Sequence, residues 1–339
     1  MIYLLRRRLA DRVDLEKDLL VHAGPGAGKT FGALLAFQAM KNEGKLSRLI
    51  VFCHRNSISN QWRESSLKLG LKLKDWELCQ DQAETLGLVD GFVVTYQGAS
   101  RNPAKLKRDL SFCLSKTTLA IADEAHHLGI DPDEPDEQVW GRVFLELTSK
   151  CRLRLGLTGT PFRADNLAFC SARRVRFSVG SELVEQIKPH ICVEPRQLIN
   201  EGDVRPLEFR FQDGIVEHSR EGEVHSEKSL ISNEERECWR ARNLRRAISL
   251  SDESSIAIHA LIRAQKKLQQ VRNSHRNAAG LVIAKDINHA RTITRWLEED
   301  GARVDLVHSQ DREAYERLAT FQKNTSEWLV SVDMCSEGF

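Results

Sequence analysis

The stretch VHAGPGAGKT, Val21 to Thr30, decides how the rest of the chain is read. The apolar run DLLVHAG (18–24) leads into it, and KTFGALLAFQAMKNEG (29–44) leaves it with apolar positions at helical spacing. Strand, glycine-rich turn and helix in this order let backbone amides at a helix N-terminus surround a phosphate. Gly24, Gly26 and Gly28, with Ala27 among them, allow the main chain to fold tightly with its N–H groups pointing inward. Lys29 would then set its ammonium on the β- and γ-phosphates, and Thr30 its hydroxyl on Mg²⁺. Ala23 stands where the strict form of the pattern has its first glycine.

Working outward, the same rhythm repeats. RLIVFCH (48–54), GFVVTYQ (91–97), TTLAIADE (117–124) and RLRLGLTG (152–159) are short buried-strand patterns that each end in a polar or turn residue. SISNQWRESSLKLG (57–70) has helical spacing and stops at a glycine. Alternation of this kind predicts α/β architecture, a parallel sheet flanked by helices, with ligands beyond the carboxyl ends of the strands. From about 172 to 279 the pattern loosens into short strands, turns and two basic helices, NEERECWRARNLRRAISL and SSIAIHALIRAQKKLQQVRN. A second α/β unit follows: AAGLVIAKD, INHARTITRWLEEDG, ARVDLVHS, REAYERLATFQKN and WLVSVD alternate strand and helix. The acidic run DPDEPDEQ (131–138) is expected to be a solvated loop, its two prolines opposing helix and sheet.

Composition sets wider bounds. A chain of 339 residues is long enough for two cores. Its apolar runs are only strand-length, which gives no membrane span, and its N-terminus lacks the order of a secretory signal, so a cytoplasmic location is expected. The eight cysteines fall in no CxxC pair, so a disulfide framework and structural zinc are both disfavoured and buried reduced thiols are expected. A net charge of +2 neither supports nor excludes a nucleic-acid ligand.

Two further stretches complete the chemistry. LAIADEAHH delivers Asp123 and Glu124 at a strand end, the arrangement that supplies an Mg²⁺ ligand and a water-activating base. LGLTGTPFR (155–163) places Thr158 and Thr160 about Gly159 at another strand end. Each alone is ordinary turn chemistry. In the order GPGAGKT, DEAH, LTGTP they resemble motifs I, II and III of superfamily 2 helicases, whose phosphate loops accept alanine at the first position. VFCHRNSISNQW is similar to motif Ia of the restriction-enzyme and DNA-repair branch, the type III and type I R-subunit-like helicases, and VVTYQG to motif Ib. AGLVIAKDINHARTI resembles motif IV, and LVSVDMCSEGF resembles motif V.

The resemblance implies two RecA-like P-loop domains closing over ATP: 1–175 as the ATP-binding domain, 176–278 as a connecting segment with basic helices, and 279–339 as an incomplete second domain. It implies an ATP hydrolase that couples Mg-ATP turnover to movement on nucleic acid. Lys29, Asp123 and Glu124 form the catalytic set, Gly24, Gly26, Ala27, Gly28, Lys29 and Thr30 the ATP-phosphate site, and Thr30 and Asp123 the Mg ligands. His126, Thr158, Thr160, Glu337 and Gly338 couple the nucleotide to domain closure. Arg55, Asn56, Thr95 and Gln97 meet the sugar–phosphate backbone, with polar loop capping as the alternative for each. The expected partner is nucleic acid, double-stranded DNA ahead of RNA, with a nuclease or modification subunit as a further possibility and no membrane; the oligomeric state is left open.

The chain departs from the family in two respects. No glutamine precedes the phosphate loop to read adenine, the first being Gln38, and the lead-in is short for the usual helix. Motif VI, with its arginine for the γ-phosphate, should follow motif V, so the chain is expected to be a fragment ending inside motif V. A nucleotide-gated nucleic-acid-binding module with little turnover is the alternative function.

Overall fold

The computed structural model describes residues 1–10, 17–78, 88–111, 113–129, 135–159, 174–179, 182–204, 208–218, 227–230, 243–245, 247–249, 255–308, 310–311, 313–321 and 326–332. They fall into two compact units, Met1–Leu207 and Glu208–Phe339.

The first unit runs α1 (Ile2–Ala10), β1 (Asp18–Ala23), α2 (Lys29–Asn42), β2 (Arg48–Cys53), α3 (Asn56–Lys68), β3 (Leu73–Asp75), β4 (Gly91–Thr95), α4 (Tyr96–Arg101), α5 (Pro103–Asp109), β5 (Thr118–Ala122), α6 (Pro135–Leu147), β6 (Leu153–Thr158), β7 (Arg174–Val179), β8 (Glu182–Ile187), β9 (Ile191–Val193) and α7 (Pro195–Glu201). Seven strands form one sheet in the order β3-β4-β2-β5-β6-β1-β9. Every pairing in it is parallel. The expected α/β class is therefore observed. β7 and β8 pair separately as an antiparallel ribbon.

Alternation along the strands explains why this sheet needs helices on both sides. Ile50 and Phe52 of β2 pack in one cluster with Phe92, Val94, Ala120 and Phe144. Leu49 and Val51 pack in another with Leu34, Phe37, Trp62, Ile121 and Leu155. Burying a Val, Leu, Ile or Phe side chain stabilises the fold by about 1.5–3 kcal/mol, so both layers contribute. The helix α2 buries Ala33, Leu34, Ala36, Phe37 and Met40, one stripe at three- and four-residue spacing.

Several details differ from the sequence expectations. A lead-in helix is present after all: α1 fits in nine residues and buries Leu5. The acidic run is not wholly loop, because α6 opens at Pro135. Proline suits the first helical turn, where its missing N–H has no intrahelical partner to serve. The sheet also takes a strand from beyond residue 175, since β9 pairs with β1. Among the described cysteines, Cys53, Cys113 and Cys151 are buried as expected, while Cys192 is exposed. Burial pushes the Cys113 and Cys151 thiols up to about 12, so neither forms a thiolate at neutral pH.

The second unit contains an antiparallel ribbon, β10 (Ile215–His218) with β11 (Glu227–Leu230). It continues through α8 (Ile256–Ser274), β12 (Gly280–Ile283), α9 (Ile287–Glu299), β13 (Val304–Val307), α10 (Ala314–Phe321) and β14 (Trp328–Ser331). Its parallel sheet has the order β12-β14-β13. The core gathers Leu261, Ala290, Ile293, Leu297, Trp328 and Val330. Of the two expected basic helices, α8 is observed, and most of 233–250 lies outside the described residues. No helix among the described residues is long and apolar enough to cross a membrane.

Candidate functional site

β5, β6 and β1 are neighbours, so their carboxyl ends bring three sequence motifs to one place. At the end of β1 the loop turns through Gly26 (φ 78°) and Gly28 (φ 71°), both left-handed, which residues with a Cβ rarely adopt. The Ala27 N–H donates to the Gly24 carbonyl at 3.3 Å, closing the turn. Lys29 opens α2 and curls back, its Nζ donating to the carbonyls of Ala23 (3.0 Å) and Gly24 (3.5 Å). Thr30 is the next residue of the same helix and is half-buried.

Asp123 and Glu124 follow β5. The Asp123 side chain is buried, and each of its oxygens has a donor: Oδ2 accepts from Trp62 Nε1 at 2.6 Å and Oδ1 from the Glu124 N–H at 3.1 Å. Its carbonyl accepts from the Tyr96 hydroxyl at 2.8 Å. Burial is the largest influence on this carboxyl and pushes it up to about 6; the Trp62 hydrogen bond and the nearby Lys29 work the other way. Glu124 is the only non-glycine among the described residues with positive φ (47°). Such a conformation costs about 1–3 kcal/mol and is held only where surrounding structure enforces it. Here it turns the carboxylate into the cleft: Oε1 lies 3.9 Å from Lys29 Nζ, and Oε2 3.5 Å from His126 Nδ1 and 3.4 Å from the Gly159 N–H that donates to it.

Gly159, following β6, is tightly placed, since a Cβ there would lie 3.3 Å from Lys29 Nζ. His126, buried in a short 3₁₀ turn, shares a 3.1 Å hydrogen bond with Thr158 Oγ1. Lys29, Asp123, Glu124, His126 and Thr158 are thus brought together. Thr160, Glu337 and Gly338 lie outside the described residues.

The four residues read for nucleic acid stand at the ends of β2 and β4. Arg55 is the N-cap residue of α3 and half-buried, and Asn56 begins that helix exposed. Thr95 is buried, and its hydroxyl caps α4 by accepting from the Gly98 N–H at 3.0 Å while donating to Glu77 at 2.9 Å. Its hydroxyl is therefore used inside the fold, as the capping alternative has it. Gln97, two residues on, is half-buried.

Three contributors went unforeseen. Trp62 and Tyr96 grip Asp123 from two different helices. The segment after β9 lies on the phosphate loop: Cβ atoms on Gly24 and Gly26 would come within 3.2 Å of Pro195 and 3.3 Å of Val204. Beside it, His22 Nδ1 and Cys192 Sγ are 3.3 Å apart, and burial lowers the imidazole from its ordinary pKa.

The donor set suits Mg²⁺, a hard cation that takes oxygen ligands. Thr30 supplies a hydroxyl, and each Asp123 oxygen accepts one N–H hydrogen bond, leaving lone pairs for the ion or its waters. A carboxylate whose charged form is disfavoured by burial is also one that a cation stabilises.

Residues 2–163 match the family described as type III restriction enzyme, res subunit. The matched stretch takes in the phosphate loop, Asp123, Glu124 and Thr158. Over the chain as a whole, a Mycobacterium leprae protein is 28% identical across 327 residues, 95% of this chain and 52% of the relative. The chain spans about half the length of the curated relatives it matches. Solved helicase-type structures align at low identity. The Sulfolobus solfataricus SWI2/SNF2 ATPase core in complex with dsDNA covers 100% of this chain and 77% of its own, with TM-score 0.39 and 14% identity. S. cerevisiae Dbp5 bound to RNA and ADP BeF3 covers 96% and 68%, with TM-score 0.49 and 12% identity.

Proposed function

We propose that the chain is the motor part of an ATP-dependent nucleic-acid translocase or helicase acting on DNA. The observation that carries this is the meeting of Lys29, Glu124, Gly159 and the His126–Thr158 pair at three adjacent strand ends. In the proposed reaction Lys29 leaves the Ala23 and Gly24 carbonyls for the β- and γ-phosphates, which the amides of 24–28 surround. Glu124 orients the attacking water and takes its proton. Thr30 and Asp123 would hold Mg²⁺, which neutralises charge on the phosphate oxygens. His126 and Thr158 connect the base to the end of β6, so a change at the γ-phosphate alters the strand-end loops. Arg55, Asn56 and Gln97 would contact the sugar–phosphate backbone without reading sequence.

Phosphate release from ATP, measured with and without duplex DNA, tests this. DNA should stimulate turnover, and Glu124→Gln should lower it by about 10²–10⁴-fold while nucleotide still binds. Turnover in Glu124→Gln equal to wild type would remove Glu124 as the base. Nucleotide binding with no DNA-stimulated turnover in wild type would favour a nucleotide-gated binding module instead.

A further inference from the structure

Two helices leave the nucleic-acid side of the sheet and both reach back to one carboxylate. Trp62 lies on α3, about 10 Å along the helix from its head at Arg55 and Asn56. Its indole N–H donates to Asp123 Oδ2 at 2.6 Å in a fully buried setting. Tyr96 is the first residue of α4, between Thr95 and Gln97, and its hydroxyl donates to the Asp123 carbonyl at 2.8 Å. The two helices are also tied to each other near their heads. Ser59 Oγ of α3 donates to Asp75 Oδ2 at 2.7 Å, Asp75 Oδ1 accepts from the Glu77 N–H at 3.0 Å, and Glu77 accepts from Thr95 Oγ1 at 2.9 Å.

We propose that Trp62 and Tyr96 are positioning residues that fix Asp123 for the metal and carry displacement of α3 and α4 to it. The metal half stands on the geometry of Asp123; the nucleic-acid half rests on the proposed function. An indole N–H is a single donor in one direction, and hydrogen bonds beyond about 3.2 Å are weak, so an ångström of movement in α3 is enough to release Oδ2. A free oxygen turns away from the orientation set by the Glu124 N–H on its partner. Nucleic acid pressing on the heads of α3 and α4 therefore alters the metal site with no contact to nucleotide.

The test is the gain in affinity for a fluorescent ATP analogue produced by Mg²⁺, measured on the full chain with and without a duplex oligonucleotide. Trp62→Phe keeps an aromatic ring but removes the donor. It should reduce the Mg²⁺-dependent gain by about 10–100-fold, leave metal-free nucleotide affinity unchanged and abolish the response to DNA. Tyr96→Phe keeps the ring stacked on Trp140 at 5.8 Å and loses only the hydroxyl, and should show a smaller loss in the same direction. A wild-type gain in both variants, or an equal loss of metal-free affinity, would overturn the positioning role. Wild-type protein that binds DNA without any change in the gain would overturn the coupling. Wild-type protein that binds no DNA would instead defeat the proposed function, and the DNA-free arm would still decide the positioning role.

Discussion

The two parallel sheets obey the same rule to different degrees. In the first unit the central strands are closed on both faces; all five residues of β4 and all five of β5 are buried. In the second, β12 alternates, with Leu281 41% and Ile283 54% exposed on one face. Parallel strands read as continuous apolar runs because helices cover both faces, yet GLVI in β12 and FVVT in β4 are equally apolar as sequence. Apolar content therefore says that a strand can be buried, and the number of flanking helices decides whether it is. The first unit also buries a carboxylate at its centre, where the second places its capping groups near solvent.

The sharpest way to break this contrast is a matched pair of truncations. Phe52 is fully buried and meets Phe144 edge-on, with ring centroids 5.2 Å apart. Phe52→Ala should destabilise the first unit by about 3–5 kcal/mol, from lost transfer energy and the cavity left behind. Ile283→Ala should cost within about 0.5 kcal/mol, as for other surface positions. Urea unfolding followed by fluorescence and circular dichroism reads both. A cost above about 2 kcal/mol at Ile283 would mean that the outer face of β12 is covered in solution.

A second, smaller effect is confined to the buried carboxylate. Burial raises Asp123 from an ordinary 3.8 to about 6 in the folded state. Between those values the native state keeps a proton that the unfolded chain has lost, so metal-free stability falls as pH rises through the window. Above about 6 the whole penalty is present. Asp123→Asn removes it but gives up one of the two N–H hydrogen bonds, so its metal-free stability relative to wild type should rise by up to about 3 kcal/mol from pH 4 to pH 8. Thermal denaturation in a chelator across that range checks the sign. A difference between the two proteins that does not change with pH would show that Trp62 and the Glu124 N–H already stabilise the charge fully.

How far this site was legible follows from where its parts lie in the chain. Val21–Thr30, Asp123–Glu124 and Thr158–Gly159 each sit at the end of a strand, and a strand end is a local pattern. Their meeting needed only a parallel sheet. The Trp62 bond to Asp123 needed more, namely that β2 and β5 are neighbours, so that α3 after one strand overlies the end of the other. No local pattern contains that adjacency. Likewise Pro195 and Val204 reach the phosphate loop because β9, a three-residue strand, pairs with β1 from far along the chain. Thr95 was readable in both senses. A threonine ahead of a helical turn is a cap signal, and the cap is what its hydroxyl forms.

The caps give the finest test of the contrast between the units. Asp286 opens α9, and its Oδ1 accepts from the His289 N–H at 2.7 Å in an exposed setting. Asp286→Ala should cost about 1 kcal/mol, because water replaces part of the lost bond. Thr95 caps α4 with the same geometry but is buried and also supplies the donor to Glu77. Thr95→Ala leaves the buried Gly98 N–H short of a partner, and should cost roughly 1 kcal/mol more than the exposed cap. Thr95→Ser keeps both hydrogen bonds and should recover most of the difference. Equal costs at the two caps in urea unfolding would mean that water reaches the head of α4 as freely as it reaches α9. The chain Ser59–Asp75–Glu77–Thr95 would then be too loose to join α3 to α4, whereas a costlier Thr95 cap requires it to hold them as one body.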